Sequence, residues 1–339
     1  MTIKKSLKKW QIDLGIHHDE LEFAWDEPLD ISHWLRAGSY CMNDVDSTDK
    51  LFNSDVGQEN WTGHKIFCEL TDLPPNTKTQ KLAEKFLFDD DPEPQKQFNW
   101  YDLSTEFPGY TFEQFRKPQS LYLDEEPSEG GYVYSEPGIY KNVLYVDIKS
   151  MHPHSAIAMN YFGKYTPRYE AVVKSRLAVK DIDPLKALEP FEKLDPERAK
   201  RLKPYFEDEA KFKGLAFVMK IIVNIVYGMS SAKWPNKFKD PRNIDNCIAK
   251  RGALFMIQAK QGLQARGVKV VHVKTDSMKL VDYTQADVDW LFDLAKQYKY
   301  EFDTECVYEK MALVNKAVLI GKTTEEFGGE WEAVGAEFA

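Results

Sequence analysis

Apolar residues recur along this chain at two periods, and the change from one to the other sets out its elements. The β-formers from Val143 to Val146 lead into the carboxylate of Asp147, and Lys149, Ser150, the ring of His152 and Pro153 then end the run. The pattern predicts a buried strand with Asp147 at its tip. Val268 to Val273 is a second such run; it breaks at Lys274, Thr275, Asp276 and Ser277 and resumes from Met278 to Val281, which predicts a hairpin with an acid in its turn. Between them, Lys220 to Gly228 is apolar except for Lys220, Asn224 and Tyr227, whose spacing of i, i+4 and i+7 puts a cation, an amide and a phenol along one stripe of a helix.

The same reading places weaker elements around these three. Residues 1 to about 55 look helical after Leu29, with Asp30 or Ser32 as N-cap. Residues 56 to 140, with Pro74, Pro75 and the acids Asp89 to Asp91, are expected to be loop-rich and without long regular elements. A helix is expected over 167–180, with Pro167 at its start and Arg176 and Lys180 one turn apart. A charged segment to Glu209 and a second helix from Lys211 would complete a helical hairpin. Beyond a basic loop, helices are expected near 245–265 and 285–298 and strands near 304–309 and 312–320.

Composition changes this picture little, charge more. The chain has 339 residues, 43% of them apolar, which suits a globular protein with one large core or two modest ones. Cys41, Cys68, Cys247 and Cys306 are scattered without metal or redox spacing, no apolar run suggests a membrane span, and no h-region follows the N-terminal lysines. A reducing, cytoplasmic setting without a membrane partner is the expectation. The net charge of -9 hides an asymmetry: residues 1–140 carry 27 acids and 13 bases, 141–280 carry 14 and 27, and 281–339 carry 13 and 5. A basic middle between acidic ends suits a phosphate-binding cleft, or else solvated helix faces.

In chain order the three stretches resemble the catalytic core of family B DNA polymerases: D-I-K-S-M-H-P-H against D-x-x-S-L-Y-P-S, K-I-I-V-N-I-V-Y-G against K-x-x-x-N-S-x-Y-G, and V-K-T-D-S against Y-x-D-T-D-S. The resemblance implies an α+β polymerase palm, an antiparallel sheet with helices on one face, carrying a short helical-hairpin fingers insertion and an N-terminal exonuclease remnant. Its expected divisions are 1–55 for that remnant, 56–140 as connecting region, palm over 141–166 and 230–322, fingers over 167–229, and the start of a truncated thumb over 323–339. The implied activity is template-directed transfer of a nucleotide from a dNTP to a primer 3′-OH. Two Mg2+ ions, or Mn2+, would be held by Asp147, Asp276 and the Ile148 carbonyl. Ser150, His152, Arg176, Lys180, Lys220, Asn224 and Tyr227 would meet the nucleotide; Gly130, Gly131, Gly228, Lys274 and Lys316 would meet DNA. Tyr40 and Asp44 match the Y-x-x-x-D segment of a 3′-5′ exonuclease whose other acids are not found here. Expected partners are a DNA primer-template, dNTPs and a second polypeptide supplying exonuclease or thumb, in a protein of phage or mobile-element type.

The departures from the family pattern carry chemistry. His152 stands where the family has the Tyr under the sugar, Ile225 replaces a Ser, Val318 replaces the Tyr of a K-x-Y primer contact, and Ser128 replaces the Tyr ahead of Gly130 and Gly131, which fit a plain tight turn equally well. Lys274 replaces the first acid of the hairpin turn. Its ammonium would either compete with a metal for Asp276 or neutralise a phosphate of the primer. The rival to an active enzyme is therefore a polymerase fragment that binds DNA or nucleotide without chemistry, or one subunit of a split polymerase.

Overall fold

In the computed structural model, residues 6–23, 28, 30–114, 119–180 and 183–335 are described. In chain order the helices and strands are α1 (Leu7–Asp13), α2 (Trp34–Asn53), α3 (Asp55–Thr71), α4 (Thr79–Phe88), α5 (Leu103–Glu106), β1 (Thr111–Glu113), β2 (Gln119–Leu121), β3 (Val133–Ser135), β4 (Gly138–Ile148), α6 (Met151–Ala158), α7 (Thr166–Lys180), α8 (Pro184–Leu194), α9 (Pro196–Glu207), α10 (Glu209–Ser230), α11 (Cys247–Ala265), β5 (Lys269–Lys274), β6 (Ser277–Val281), α12 (Gln285–Gln297), β7 (Phe302–Leu313), β8 (Leu319–Thr323) and β9 (Trp331–Val334). The chain divides into two units, one of Met1–Leu82 with Ser175–Ile221, the other of Ala83–Lys174 with Ile222–Ala339.

The first unit is helical. Asp30 caps the turn that leads into α2, accepting from the Ser32 N–H, as the sequence suggested; Leu29 lies outside the described residues. The expectation of loops from residue 56 onward is corrected here, since α3 and α4 are regular helices. Ser54 caps α3 by accepting from the Gly57 N–H, and the helix buries Ile66, Phe67, Cys68 and Leu70. Gly63 sits inside α3, where a glycine costs helix stability relative to alanine. It marks a close crossing: a Cβ there would lie 2.5 Å from Phe217 Cδ1 and 3.2 Å from the Gly214 carbonyl oxygen of α10.

The expected helical hairpin over 167–229 is also corrected. The charged segment folds into two further helices, α8 and α9, each opened by an Asp-Pro step in which Asp183 or Asp195 accepts a backbone N–H and the proline occupies the first turn. The last of the series, α10, is long and apolar enough over Lys211–Ser230 to pass for a membrane span by length and composition, against expectation. A core helix passes the same test, and its Leu215, Val218, Met219, Ile222, Val223 and Val226 are buried.

The second unit is α+β. Its sheet has the order β3-β5-β6-β4-β7-β8-β9 with every neighbouring pair antiparallel, and β1 and β2 form a separate two-stranded sheet. Alternation along β4 divides its residues between two faces. Leu144, Val146 and Ile148 share a face with Phe302, whose ring meets Phe255 of α11. Val143, Tyr145 and Asp147 share the other, where Val143, Val271, Cys306, Tyr308, Met311 and Leu313 form an apolar cluster. Residues 331–334 extend this sheet as β9, where a thumb was expected to start; residues 336–339 lie outside the described residues.

Candidate active site

The two acidic strand ends meet. In the β4–β6 pairing Asp147 is opposite Ser277, and the Ile148 N–H donates to the Asp276 carbonyl at 2.9 Å. The hairpin turn is two residues long, Thr275 and Asp276, between the paired Lys274 and Ser277. Thr275 takes φ +59°, a left-handed conformation uncommon for a β-branched residue. The turn is held from outside: the Thr275 N–H donates to the Tyr132 carbonyl at 2.9 Å, and a Cβ at Gly131 (φ +152°) would lie 3.1 Å from Thr275 Cγ2. Only a glycine fits that approach comfortably, so Gly130 and Gly131 lie beside the acidic turn while also closing the tight turn that Ser128 bridges.

Asp147 and Asp276 are both half-buried. Burial raises the Asp276 carboxyl above its ordinary value, offset only by its own backbone N–H, and no cation of the chain pairs with it among the described residues. Asp303 is opposite Asp147 on β7, but its carboxylate is engaged by Lys149 at 2.9 Å, which also meets Glu301 at 2.7 Å. Those hydrogen bonds hold the Lys149 ammonium well above the usual lysine range. Among the described residues no three His, Cys, Asp or Glu side chains converge as a metal cluster. Two carboxylates and a backbone carbonyl nevertheless fit Mg2+, a hard ion that takes few ligands from protein and the rest from water and phosphate, and the uncompensated charge of Asp276 favours a cation.

Beside the acids lies an aromatic step. His152, on the first turn of α6, stacks on Tyr227 of α10 with ring centroids 4.1 Å apart and planes 3° from parallel. Burial pushes His152 down to about 4, so it is neutral at pH 7, and its Nδ1 is buried without a hydrogen-bond partner among the described residues. The Tyr227 phenol is raised by burial and by the nearby Asp276 charge, and lowered by a hydrogen bond with Asn246. Asn246 also donates to the Glu129 carbonyl at 2.8 Å, and Lys250 donates to the carbonyls of Pro127 and Ser128 at 2.7 and 2.8 Å. The start of α11 thus ties the glycine turn and the aromatic step together.

The other expected residues are distributed as follows. Asn224 and Gly228 are exposed on α10 and Lys220 is half-buried, so the polar stripe of that helix exists. Lys220, Arg176 and Lys180 belong to the first unit, with Tyr40 and Asp44; the Lys180 side chain lies outside the described residues. Tyr40 is raised by the adjacent Asp44 charge on α2. In the second unit, Ser150 precedes α6 with φ +51°, and Lys274 and Lys316 are exposed. Sequence reading missed Asn246 and Lys250, which no motif marked. It also missed His272 and Lys279, which looked like polar interruptions of β-strands; both are buried, at 2% and 3% exposure.

The fold and site together define an antiparallel sheet with two carboxylates at neighbouring strand ends. No protein-family model matches the chain. It is 31% identical over 173 residues to DNA polymerase II of Escherichia coli (strain K12), a match covering 44% of this chain and 19% of that protein. The solved family B DNA polymerase of the hyperthermophilic archaeon Pyrobaculum calidifontis aligns with 98% of this chain and 43% of its own, at 15% identity and a TM-score of 0.44.

Proposed function

We propose that this chain carries the palm and fingers of a template-directed DNA polymerase of the family B type, of the kind found in phages and mobile elements. Its reaction would be nucleotidyl transfer from a dNTP to the 3′-OH of a primer paired with a DNA template. The observation that carries the reading is the meeting of Asp147 and Asp276 across the β4–β6 pair, with Ile148 hydrogen-bonded to Asp276 between them.

Asp147 and Asp276, with the Ile148 carbonyl, would hold two divalent cations, Mg2+ or Mn2+. When bound, such ions supply Lewis-acid stabilisation to the attacking and leaving oxygens of phosphoryl transfer. The chain's own residues do the rest. The stacked His152 and Tyr227 offer a flat wall to a sugar, with Ser150 at the turn before His152. The glycine turn allows backbone to approach a nucleic-acid strand, and Lys274 and Lys316 would meet its phosphates. Arg176, Lys180 and Lys220 are assigned to the triphosphate on the resemblance alone, and so is Asn224. The six-part division of the chain, the exonuclease remnant at Tyr40 and Asp44, and a second polypeptide belong to the same reading.

Primer extension with Mg2+ or Mn2+, by the chain alone and then with candidate partner fragments, tests it. Asp147→Asn and Asp276→Asn should each slow single-turnover incorporation by about a hundredfold or more while leaving template binding nearly intact. Incorporation by either variant at the parental rate would overturn the assignment. One observation favours a second reading, a polymerase fragment that binds DNA or nucleotide without chemistry: Lys274 occupies the place of an acid two residues before Asp276. Tight binding with no extension under any metal or partner condition would establish that reading.

A further inference from the structure

Helix α11 is buried over most of its length, and one of its buried side chains is a cation held by a loop. Lys250 is 3% exposed, and its Nζ donates to the Pro127 and Ser128 carbonyls at 2.7 and 2.8 Å. Taking an ammonium out of water is costly unless hydrogen bonds replace its hydration, so these two carbonyls matter to the charge as much as the charge matters to them. Ser128 closes the loop by donating from its N–H and its hydroxyl to the Gly131 carbonyl, at 2.9 and 2.7 Å. The loop then meets the hairpin turn. A Cβ at Gly131 would lie 3.1 Å from Thr275 Cγ2, and the Tyr132 carbonyl accepts from the Thr275 N–H at 2.9 Å. Asp276 is the next residue, and its own carbonyl accepts from the Ile148 N–H at 2.9 Å. Contacts therefore run from Lys250 through the loop and the turn to the acid pair.

The clamp depends on a proton. Burial lowers the Lys250 ammonium to about 8, against the support of Asp245 and Glu129. Lys250 lines a cavity of about 560 Å3, which is large enough for water to reach it. Glu126 and Glu129 face that cavity from the loop, Asp245 from the start of α11, and Lys233 and Lys239 from the segment after α10; β1 and β2 bring no charged side chain to it among the described residues. Glu129 is also met by Lys233 at 3.8 Å, and Asp245 accepts from the Tyr110 hydroxyl at 3.1 Å. An ammonium makes charge-assisted hydrogen bonds about twice as strong as those of a neutral donor. The grip on the Pro127 and Ser128 carbonyls is therefore full below the Lys250 value and weakens as pH rises through it.

We propose that Lys250 is a positioning residue for Asp276: its ammonium clamps the Pro127–Ser128 loop, and the loop holds the Thr275–Asp276 turn where a divalent cation can use it. The role of Asp276 in this proposal rests on the polymerase reading. The test compares the full chain with Lys250→Met and Lys250→Arg in two measurements that need no DNA, amide hydrogen exchange across the loop and the turn, and Mn2+ binding followed by electron paramagnetic resonance. At pH 7, Lys250→Met should exchange several-fold faster at Thr275 and bind Mn2+ several-fold more weakly. Lys250→Arg, whose guanidinium stays charged and has donors for both carbonyls, should match the parent. In primer extension the rate of Lys250→Arg relative to the parent should be near one at pH 7 and rise above pH 8, where the parent loses its ammonium. Parental exchange at Thr275 or parental Mn2+ affinity in folded Lys250→Met overturns this assignment alone. If that variant does not fold, the parent decides: protection of the Thr275 amide, corrected for the intrinsic rise of exchange with pH, should fall between pH 7 and pH 9, and protection that holds across that range overturns the assignment as well. A parent that binds no Mn2+ overturns it together with the polymerase reading.

Discussion

At the scale of single residues, His152 and Lys274 decide how this site departs from the family it resembles. His152 titrates near 4 in the fold against 6.5 unperturbed. Its folded value is depressed, so the unfolded chain takes up the proton first as pH falls, and stability is lost from about pH 6.5 down to about 4, by up to about 3 kcal/mol. Urea unfolding at pH 7 and at pH 4.5 should show that loss, and His152→Phe should make it smaller; an unchanged pH dependence would mean the ring is protonated in the fold. In the proposed polymerase the same side chain would bear on the sugar. An imidazole on Tyr227 fills less space than a phenol, so His152→Tyr should raise the dNTP-to-rNTP incorporation ratio, with an unchanged ratio placing the sugar wall elsewhere. Lys274 offers a choice between two outcomes. If it meets a primer phosphate, Lys274→Ala and Lys274→Asp both weaken primer use and flatten the salt dependence of binding. If it competes for Asp276, both raise metal affinity, the aspartate more. Its exposure, beside a turn held against Gly131, favours the first outcome.

At the scale of elements, two glycines fix a helix crossing that periodicity does not reveal. Gly63 of α3 and Gly214 of α10 are in contact: a Cβ on Gly214 would lie 3.5 Å from Gly63 Cα and 2.7 Å from Ile66 Cδ1. Gly63→Val should therefore cost about 1–3 kcal/mol through overpacking, seen as a lower denaturation midpoint, whereas the same change at exposed Gly38, with nothing within 4 Å, should cost less than about 1 kcal/mol. Equal losses at the two positions would remove the crossing from consideration. The strands were more legible than the helices of the first unit. Alternation through Val143–Asp147 and the break at Lys274–Ser277 placed β4, β5 and β6 because a half-buried strand must alternate and a hairpin must turn. The charged stretch before Glu209 hid α8 and α9, whose Asp-Pro starts were present but whose apolar positions were diluted by Glu and Lys.

At the scale of the whole molecule, the charge asymmetry makes a prediction that no single residue makes. The segment 141–280 has 13 more bases than acids, yet the chain is at -9. DNA binding should fall steeply with salt, while non-specific adhesion to anionic surfaces stays weak at low salt because the acidic ends repel them. A salt-independent affinity would show that the basic residues are only solvated helix faces. The two units divide at 82–83, 174–175 and 221–222, inside α4, α7 and α10, so each of those helices contributes residues to both. The sequence by itself determined the two acidic strand ends, the polar stripe of α10 and the glycine turn, because each follows from periodicity or from backbone freedom over a few residues. Tertiary structure alone decided that Gly131 packs on Thr275, that Asn246 and Lys250 hold the glycine turn, that His152 stacks on Tyr227 and that Lys279 lies buried over the Tyr145 ring. Those contacts join residues far apart in the chain, and only strand register and helix packing bring such residues within reach of one another.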